Sequence, residues 1–488
     1  CILTQRYYKT NKTGAVLSYF SNDLETLEEA FGFGIVQLVD GIFLLVISLI
    51  KMFRLQPVLT AILLIPLLLL GVCAFFVDKL MEKKYERRQK AFEDMSDFAQ
   101  ENFTGIRVIK AFVKEKKELK QFSKEANNNK NTNINFARTS CILDVVFDAL
   151  IYLVFGIIML GGSYLVYLNV KSKGDDGITL GQLVTFVGFA DTLIWPVFAL
   201  AGTINLVARA RTSLKRISNI LDEKVEVFDD VIDKLETYKG EIEFKNFDFA
   251  YPDAPDSLVL KDINFKIKAG ETIGIVGKIG CGKSTLVNML FRLYNVKENT
   301  LFIDGHDIMH LPIKDVRENI GYCPQDNFLF SDTIRSNIAF SNPSLSDEKV
   351  KEAATFAAVN DNIEEFKDKY QTLIGEKGVS LSGGQKQRIS IARAIIKDPT
   401  ILVLDDSVSA VDVKTEETII NNIKTQRAGK TTILIASRVS TVMSLDKILV
   451  LNDGCVEAFG SHEECLKNSK TYAKMVELQS LEEEMEGK

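Results

Sequence analysis

Two fold classes in succession are predicted for this chain of 488 residues: an α-helical transmembrane bundle, then an α/β domain with an antiparallel edge sheet. Three observations predict them. Apolar residues make up 46% of the chain and crowd into its first part, up to about residue 208, while charged residues dominate beyond. The apolar runs there are long enough to cross a bilayer core, which takes about 20 helical residues. In the second part, continuous apolar runs such as TIGIVG, TILVLDD and TTILIAS precede helix-like stretches, as in a buried parallel sheet. The length alone exceeds what one hydrophobic core supports.

The predicted spans are 31–50, 55–77, 142–167 and 180–207. The first two are separated only by 51–54 and the last two by a polar turn around 171–178, so they read as two helical hairpins. Between them, 78–138 carries Lys79, Lys83, Lys84, Arg87, Arg88, Lys110, Lys114, Lys116 and Lys117, and the positive-inside rule places this loop in the cytosol. With an even number of crossings, the N-terminal stretch and everything after the fourth span are cytosolic too. The loop is helical in pattern with few breakers until 127–135, so the helices continue well beyond the bilayer before turning. Asp40 and Asp191 either face a substrate pathway, because a carboxylate against lipid is costly, or serve helix–helix hydrogen bonds or a water-filled cavity.

The transmembrane domain is read as 1–211. A charged amphipathic stretch from Thr212 to Leu221 and an acidic segment form a linker over 212–239, and the soluble domain occupies 240–488. That domain opens on EIEFKNFDFAY and LVLKDINFKIKAG, whose alternation suits an antiparallel sheet.

A net charge of -6, a pI near 5.5 and a mean hydropathy of +0.07 offer no global basic surface, which argues against nucleic acid as a partner. The 7 cysteines (Cys1, Cys73, Cys141, Cys281, Cys323, Cys455, Cys465) form no C-x-x-C pair, so neither structural zinc nor a disulfide framework is supported. The soluble half is expected in a reducing cytosol. No signal peptide is visible, and a chain opening on Cys1 in a polar, helix-like stretch reads as a fragment that has lost an N-terminal portion.

Chemistry concentrates in 277–285, which reads GKIGCGKST and sits between a strand and an apolar helix, the context a phosphate-binding loop requires. Gly277, Gly280 and Gly282 let the backbone curl so that N–H groups point at phosphate oxygens, with Lys278, Ile279, Cys281 and Thr285 completing the loop. Lys283 would reach the β- and γ-phosphates of ATP, and Ser284 would ligate magnesium. The run 400–406 delivers Asp405 and Asp406 at the C-terminal end of a strand, where ligands bind in open α/β sheets. Asp405 suits the organisation of magnesium, directly or through water. Alone, it would read as a turn or helix-capping Asp.

Leu381, Ser382, Gly383, Gly384 and Gln385 spell LSGGQ ahead of a helix containing Arg388 and Arg393, and this pentapeptide resembles the signature of the ATP-binding cassette (ABC) family. The family's other marks follow in family order over about 240–479. Tyr251 matches the aromatic that stacks on adenine; Gln325 matches the loop that senses magnesium and the membrane domain; Ser409, Ala410, Val411 and Asp412 match the loop that crosses between paired cassettes. The layout is similar to that of ABC exporter half-transporters of multidrug or lipid type. That resemblance implies a helical signature subdomain, six membrane helices of which the first two are missing, and coupling segments near 13–20 and 113–122 whose plain alternative is charged amphipathic helix.

Two positions depart from the family pattern. Asp406 stands where the family has a Glu as general base, and a carboxylate set back by one methylene can cost about 10²-fold in rate. Ser437 stands where the family has a His on the γ-phosphate, and serine brings no positive charge. His306, His310 and His462 read as surface residues. The resemblance then implies a degenerate-site subunit of a heterodimeric bacterial exporter, in the plasma membrane with its cassette in the cytoplasm. Its own site would bind ATP and hydrolyse weakly, while its intact signature completes the site of a different second chain. The alternatives are a homodimer with ordinary turnover and a non-catalytic ATP-binding subunit. The spans, rich in Leu, Ile, Val and Phe, suit lipophilic or amphipathic cargo, whether small molecule, lipid or peptide.

Overall fold

The computed structural model describes residues 3–11, 13–172, 177–229, 233, 235–375, 381–408 and 411–486, the side chains at 13–15, 78, 79 and 482–486 excepted. Half of the expected turn around 171–178, part of the linker, and both Ser409 and Ala410 therefore lie outside the described residues. The chain divides into two units, Lys12–Glu223 and Cys1–Asn11 with Lys224–Lys488. Helix α1 (Gln5–Thr10) thus goes with the second unit, although the sequence placed it with the membrane bundle.

In the helical unit, four helices are long and apolar enough to cross a membrane: α2 (Val16–Leu55), α3 (Pro57–Thr104), α4 (Glu115–Lys171) and α5 (Leu180–Leu221). Gln56 leaves the helical region at φ -157°, and Pro57 opens α3, where its missing N–H costs nothing. Thr179 caps α5 in a reciprocal box, its hydroxyl accepting from the Gln182 N–H at 3.2 Å while the Gln182 side chain accepts from the Thr179 N–H at 2.8 Å. The stretch from Thr212 to Leu221 is the last part of α5 itself, continuous with the span before it.

The long-range packing runs between α3 and α4 and between α2 and α5, more than within the sequential hairpins. Leu59, Leu63 and Leu67 of α3 meet Val154 and Ile158 of α4, with Leu183, Phe186, Ala190 and Leu193 of α5 closing the same core. Gly162 permits the α4–α5 approach, since a Cβ there would stand 2.2 Å from Leu183 Cδ1. Asp40 and Asp191 are both exposed on this unit.

The Asn-rich run at 127–135 does not break the helix. It lies inside α4, and its side chains bond back along the helix, Asn133 Nδ2 donating to the Asn129 carbonyl at 2.8 Å and Thr132 Oγ1 to the Asn128 carbonyl at 3.1 Å. Packing against α3 holds it there: Arg88 stacks 4.5 Å from the Phe136 ring centroid. The turn falls earlier, at Gly105 and at Val113, whose φ is 53°. The segment 113–122 accordingly combines that turn with the opening of α4 and is not one helix.

Asp23 is 2% exposed in α2 and accepts a 2.6 Å hydrogen bond from Ser213 Oγ of α5, with Arg216 paired to the same oxygen. Removing the carboxylate leaves the buried Ser213 hydroxyl without its acceptor. Asp23→Ala should therefore destabilise the helical unit by about 1–3 kcal/mol, and Asp23→Asn, which keeps an acceptor, by less. Thermal unfolding of the detergent-purified chain measures both. The half-exposed Arg216 contributes little of this.

In the second unit, β1 (Ile242–Ala250) and β2 (Leu258–Ile267) alternate as expected, burying Ile242, Phe244, Phe247 and Phe249 opposite Leu260, Ile263, Phe265 and Ile267. They pair antiparallel, with Phe244 stacked on Phe265 at 4.8 Å. The remaining strands are β3 (Thr272–Gly277), β4 (Leu301–Ile303), β5 (His306–Asp307), β6 (Ile320–Cys323), β7 (Ile401–Asp405), β8 (Thr431–Ile435), β9 (Lys447–Asn452) and β10 (Cys455–Gly460). They form an antiparallel sheet β2-β1-β4-β5 and a second sheet β10-β9-β3-β8-β7-β6, parallel except at the β10 edge. Every residue of β7 and β8 is buried, which is why those runs are continuously apolar rather than alternating. A helical subdomain follows β6. Its helices Asp347–Phe356 and Asn360–Glu364 pack Val350, Ala353 and Ile363 against Ile389 and Ala392 of the helix Gly383–Ile395.

Candidate nucleotide-binding site

Strand β3 lies inside the parallel sheet, between β9 and β8, so its C-terminal end delivers residues 277–282 to the sheet's ligand-binding edge. Helix α6 (Lys283–Met289) follows at once. Two glycines of this loop are structurally required. A Cβ at Gly277 would stand 2.2 Å from the Leu451 carbonyl oxygen, and Gly282 has φ 102° with Leu260 Cδ2 at 2.8 Å from a Cβ. Between them Lys278, Ile279 and Gly280 are exposed, Ile279 at 103%. Cys281 is tucked under the loop, where burial pushes its thiol up and leaves it an apolar packing group.

The Lys283 ammonium donates to the carbonyls of Gly277 at 2.8 Å and Lys278 at 3.0 Å, which holds the charge at the mouth of the loop. Ser284 Oγ donates to Asp405 Oδ1 at 3.1 Å, so loop and strand end converge on one point. Burial pushes the Asp405 carboxyl above its ordinary range; the Ser284 hydrogen bond and the Lys283 charge pull against this, and Asp406 adds to the push. A hydroxyl and a buried carboxylate so placed are hard oxygen donors of the kind a divalent cation takes.

Asp406 follows in the left-handed region at φ 48°, a conformation that aspartate tolerates better than most residues. Its N–H donates to the Ile435 carbonyl at 3.0 Å, and its carboxylate accepts from Ser437 Oγ at 3.1 Å. The two positions that depart from the expected pattern therefore touch each other. Tyr251 packs edge-on against Phe249 and Tyr294, and its hydroxyl shares a 2.9 Å hydrogen bond with Thr285 Oγ1 at the start of α6.

Other predicted residues lie apart. Ser382 and Gln385 spend their side chains on capping the helix α7 (Gly383–Ile395): the Gln385 N–H donates to Ser382 Oγ at 3.3 Å and the Ser382 N–H to Gln385 Oε1 at 3.0 Å. Leu381 is buried beneath them, Ser382 and Gly383 are exposed, and Gly384 is half-exposed. Among the described residues no hydrogen bond joins this pentapeptide to 277–285. Asp412 caps the helix α8 (Val413–Gln426), and hydrogen bonds from Thr415 hold its carboxyl below the ordinary range; Val411 beside it is buried. Gln325 is exposed in the loop after β6. The three histidines are half-buried rather than on the surface, and His462 Nδ1 meets the Tyr472 hydroxyl at 2.8 Å.

Two residues matter here that sequence reasoning passed over or left without a role. Gln387 of α7 is 3% exposed and donates to the Asp406 carbonyl at 2.9 Å, tying the signature helix to the end of β7. Arg393, also on α7, donates to the Phe328 carbonyl at 2.8 Å and to both oxygens of Asn337, which anchors the loop carrying Gln325 to the helical subdomain. Gln387 is buried and Arg393 half-buried, and their only signal was polar character on the helix.

The family described as the ABC transporter transmembrane region matches residues 2–197, and that described as ABC transporter matches 260–409. A probable multidrug resistance ABC transporter ATP-binding/permease protein of Bacillus subtilis, YheI, is 36% identical over 480 residues, covering 97% of this chain and 80% of its own length. The chain belongs to the ABC exporters. The multidrug resistance-like ATP-binding protein MdlA of Escherichia coli is 33% identical over 98% of this exporter chain and 79% of its own. A solved bacterial Atm1-family ABC exporter with ATP bound superposes with a TM-score of 0.80 at 26% identity, over 98% of this chain and 82% of that one. The exporter is thus a half-transporter of multidrug type, an ABC ATPase coupled to transport. It is a multi-pass plasma-membrane protein whose cassette is cytoplasmic.

Proposed function

We propose that this chain is the degenerate-site half of a heterodimeric exporter: it binds ATP and magnesium, hydrolyses weakly at its own site, and completes the site of a different second half-transporter with Leu381, Ser382, Gly383, Gly384 and Gln385. The observation that carries the reading is the 3.1 Å hydrogen bond from Ser437 to Asp406. The Ser437 hydroxyl has one proton to donate and directs it to the Asp406 carboxylate, which is itself one methylene short of the expected general base. Neither position carries a cation that would offset charge developing on a γ-phosphate.

Binding is a separate matter, supported by the approach of Ser284 to Asp405 and of Tyr251 to Thr285. Lys283 and the loop N–H groups would take the phosphates, Tyr251 the adenine. Ser284 and Asp405 would hold magnesium with Gln325 as a further oxygen donor, the ion neutralising charge on the β- and γ-phosphates. Lipophilic or amphipathic cargo suits spans rich in Leu, Ile, Val and Phe, the same residues that face lipid in any bundle. Names of relatives that speak of multidrug resistance or export agree with it too.

Steady-state ATPase activity separates this from a homodimer. Purified alone, the chain should turn over about 10²-fold more slowly than when co-assembled with its partner half, and Asp406→Ala should reduce the assembled rate little. An ordinary exporter rate from the lone chain, unchanged by Asp406→Ala, would mean that the asymmetric reading is wrong.

A further inference from the structure

Helix α1 is six residues long and sits on the loop that carries Tyr251. Arg6 pairs with Glu226 at 2.6 Å and with Asp253 at 3.4 Å, two positions beyond Tyr251. Tyr7 is buried against the same unit. Lys9, itself exposed, places its ammonium 4.5 Å from the centroid of the Tyr251 ring. Tyr251 is meanwhile packed against the core of β1, β2 and α6 and touched edge-on by Phe249 and Tyr294. Lys9 thus stands over one face of a ring whose surroundings are otherwise aromatic and apolar.

We propose that Lys9 is a latch on the adenine platform: it occupies the Tyr251 face by a cation–π contact, and an incoming adenine must displace it. This rests on the reading of Tyr251 as the adenine-stacking residue. A π-face attracts both an ammonium and an aromatic base, but one face holds only one of them, so the contact lowers the affinity of this chain's own site for adenine nucleotides without touching the phosphate subsite. Arg6 keeps α1 in place by pairs on either side, so that displacement of Lys9 need not release the whole helix.

Equilibrium binding to the full chain in detergent tests this with two probes, ATP and inorganic tripolyphosphate, both as magnesium salts. Lys9→Ala should tighten ATP about two- to fivefold, the range of an exposed cation–π contact, and leave tripolyphosphate unchanged. Lys9→Arg, which restores a cation, should bind ATP as the parent does. Tyr251→Ala should weaken ATP and abolish the effect of Lys9→Ala in the double variant. If Tyr251→Ala weakens ATP but Lys9→Ala leaves its affinity unchanged or lowers it, the latch is refuted while the adenine platform stands. If Tyr251→Ala leaves ATP affinity intact, the platform reading fails and the latch goes with it. A Lys9→Ala effect equal on both probes also refutes the latch, because it would lie in the phosphate subsite.

Discussion

Replacing Asp406 by Glu and Ser437 by His together should raise ATP hydrolysis at this chain's own site by about 10²-fold or more in the assembled transporter. Two gains add up to this. A carboxylate advanced by one methylene reaches an attacking water, a positional change that is worth about 10²-fold. An imidazole adds a donor to the γ-phosphate, and removal of one such donor from a preorganised site costs about 10²–10³-fold elsewhere. Against them stands one cost. Asp406 sits at φ 48°, and Glu, whose side chain bonds its own backbone less readily, pays about 1–2 kcal/mol there. The combined gain exceeds 2.7 kcal/mol at about 1.36 kcal/mol per tenfold, so it wins. Ser437 is exposed, so an imidazole meets no crowded core.

The single variants should each gain much less than their product implies. The present Ser437–Asp406 hydrogen bond makes the pair one unit, and groups that act as a unit are not additive. Steady-state ATPase measurement on both single variants and the double, in assemblies whose partner half has lost its own catalytic base, resolves this. No gain in the double variant would remove the claim that these two positions limit hydrolysis.

What the sequence revealed followed from local rules strong enough to act alone. The phosphate loop was legible because Gly277 and Gly282 answer to clearance and backbone angle, which only glycine meets. Strands β7 and β8 were legible because burial on both faces leaves an unbroken apolar run. The signature stood out as a family mark alone; that Ser382 and Gln385 satisfy each other's backbone as a capping box emerged only in the fold. Tertiary packing decided the rest. Asparagines at 127–135 look like a breaker in isolation, yet bonds to preceding carbonyls and the stacking of Arg88 on Phe136 keep them helical. Helix α1 carries no periodic apolar face that could announce its partner; its place is set by Arg6, Tyr7 and Lys9 against residues more than two hundred positions away. Gln387 and Arg393 are polar residues on a helix whose burial depends on β6, β7 and the subdomain around it, and no spacing rule encodes that.

Gly383→Asp should leave this chain as stable as its parent and yet lower turnover of the assembled transporter by at least about 10²-fold. The two halves of that expectation rest on different physics. Within the chain, a Cβ at Gly383 meets no heavy atom within 4 Å, and the position is the first of α7, where a carboxylate is favoured by the helix dipole and glycine is the weakest helix former short of proline. Melting temperature should therefore hold or rise. Across the proposed dimer, the exposed signature faces the partner's ATP, and a carboxylate placed there opposes the γ-phosphate charge and keeps the cassettes from closing on it. Asp406→Ala in the same assembly should cost far less, because it alters only the slow site. The contrast between a stable chain with an inactive dimer and a harmless change at its own base is what an asymmetric machine requires. Equal losses from both substitutions would instead place turnover at this chain's own site.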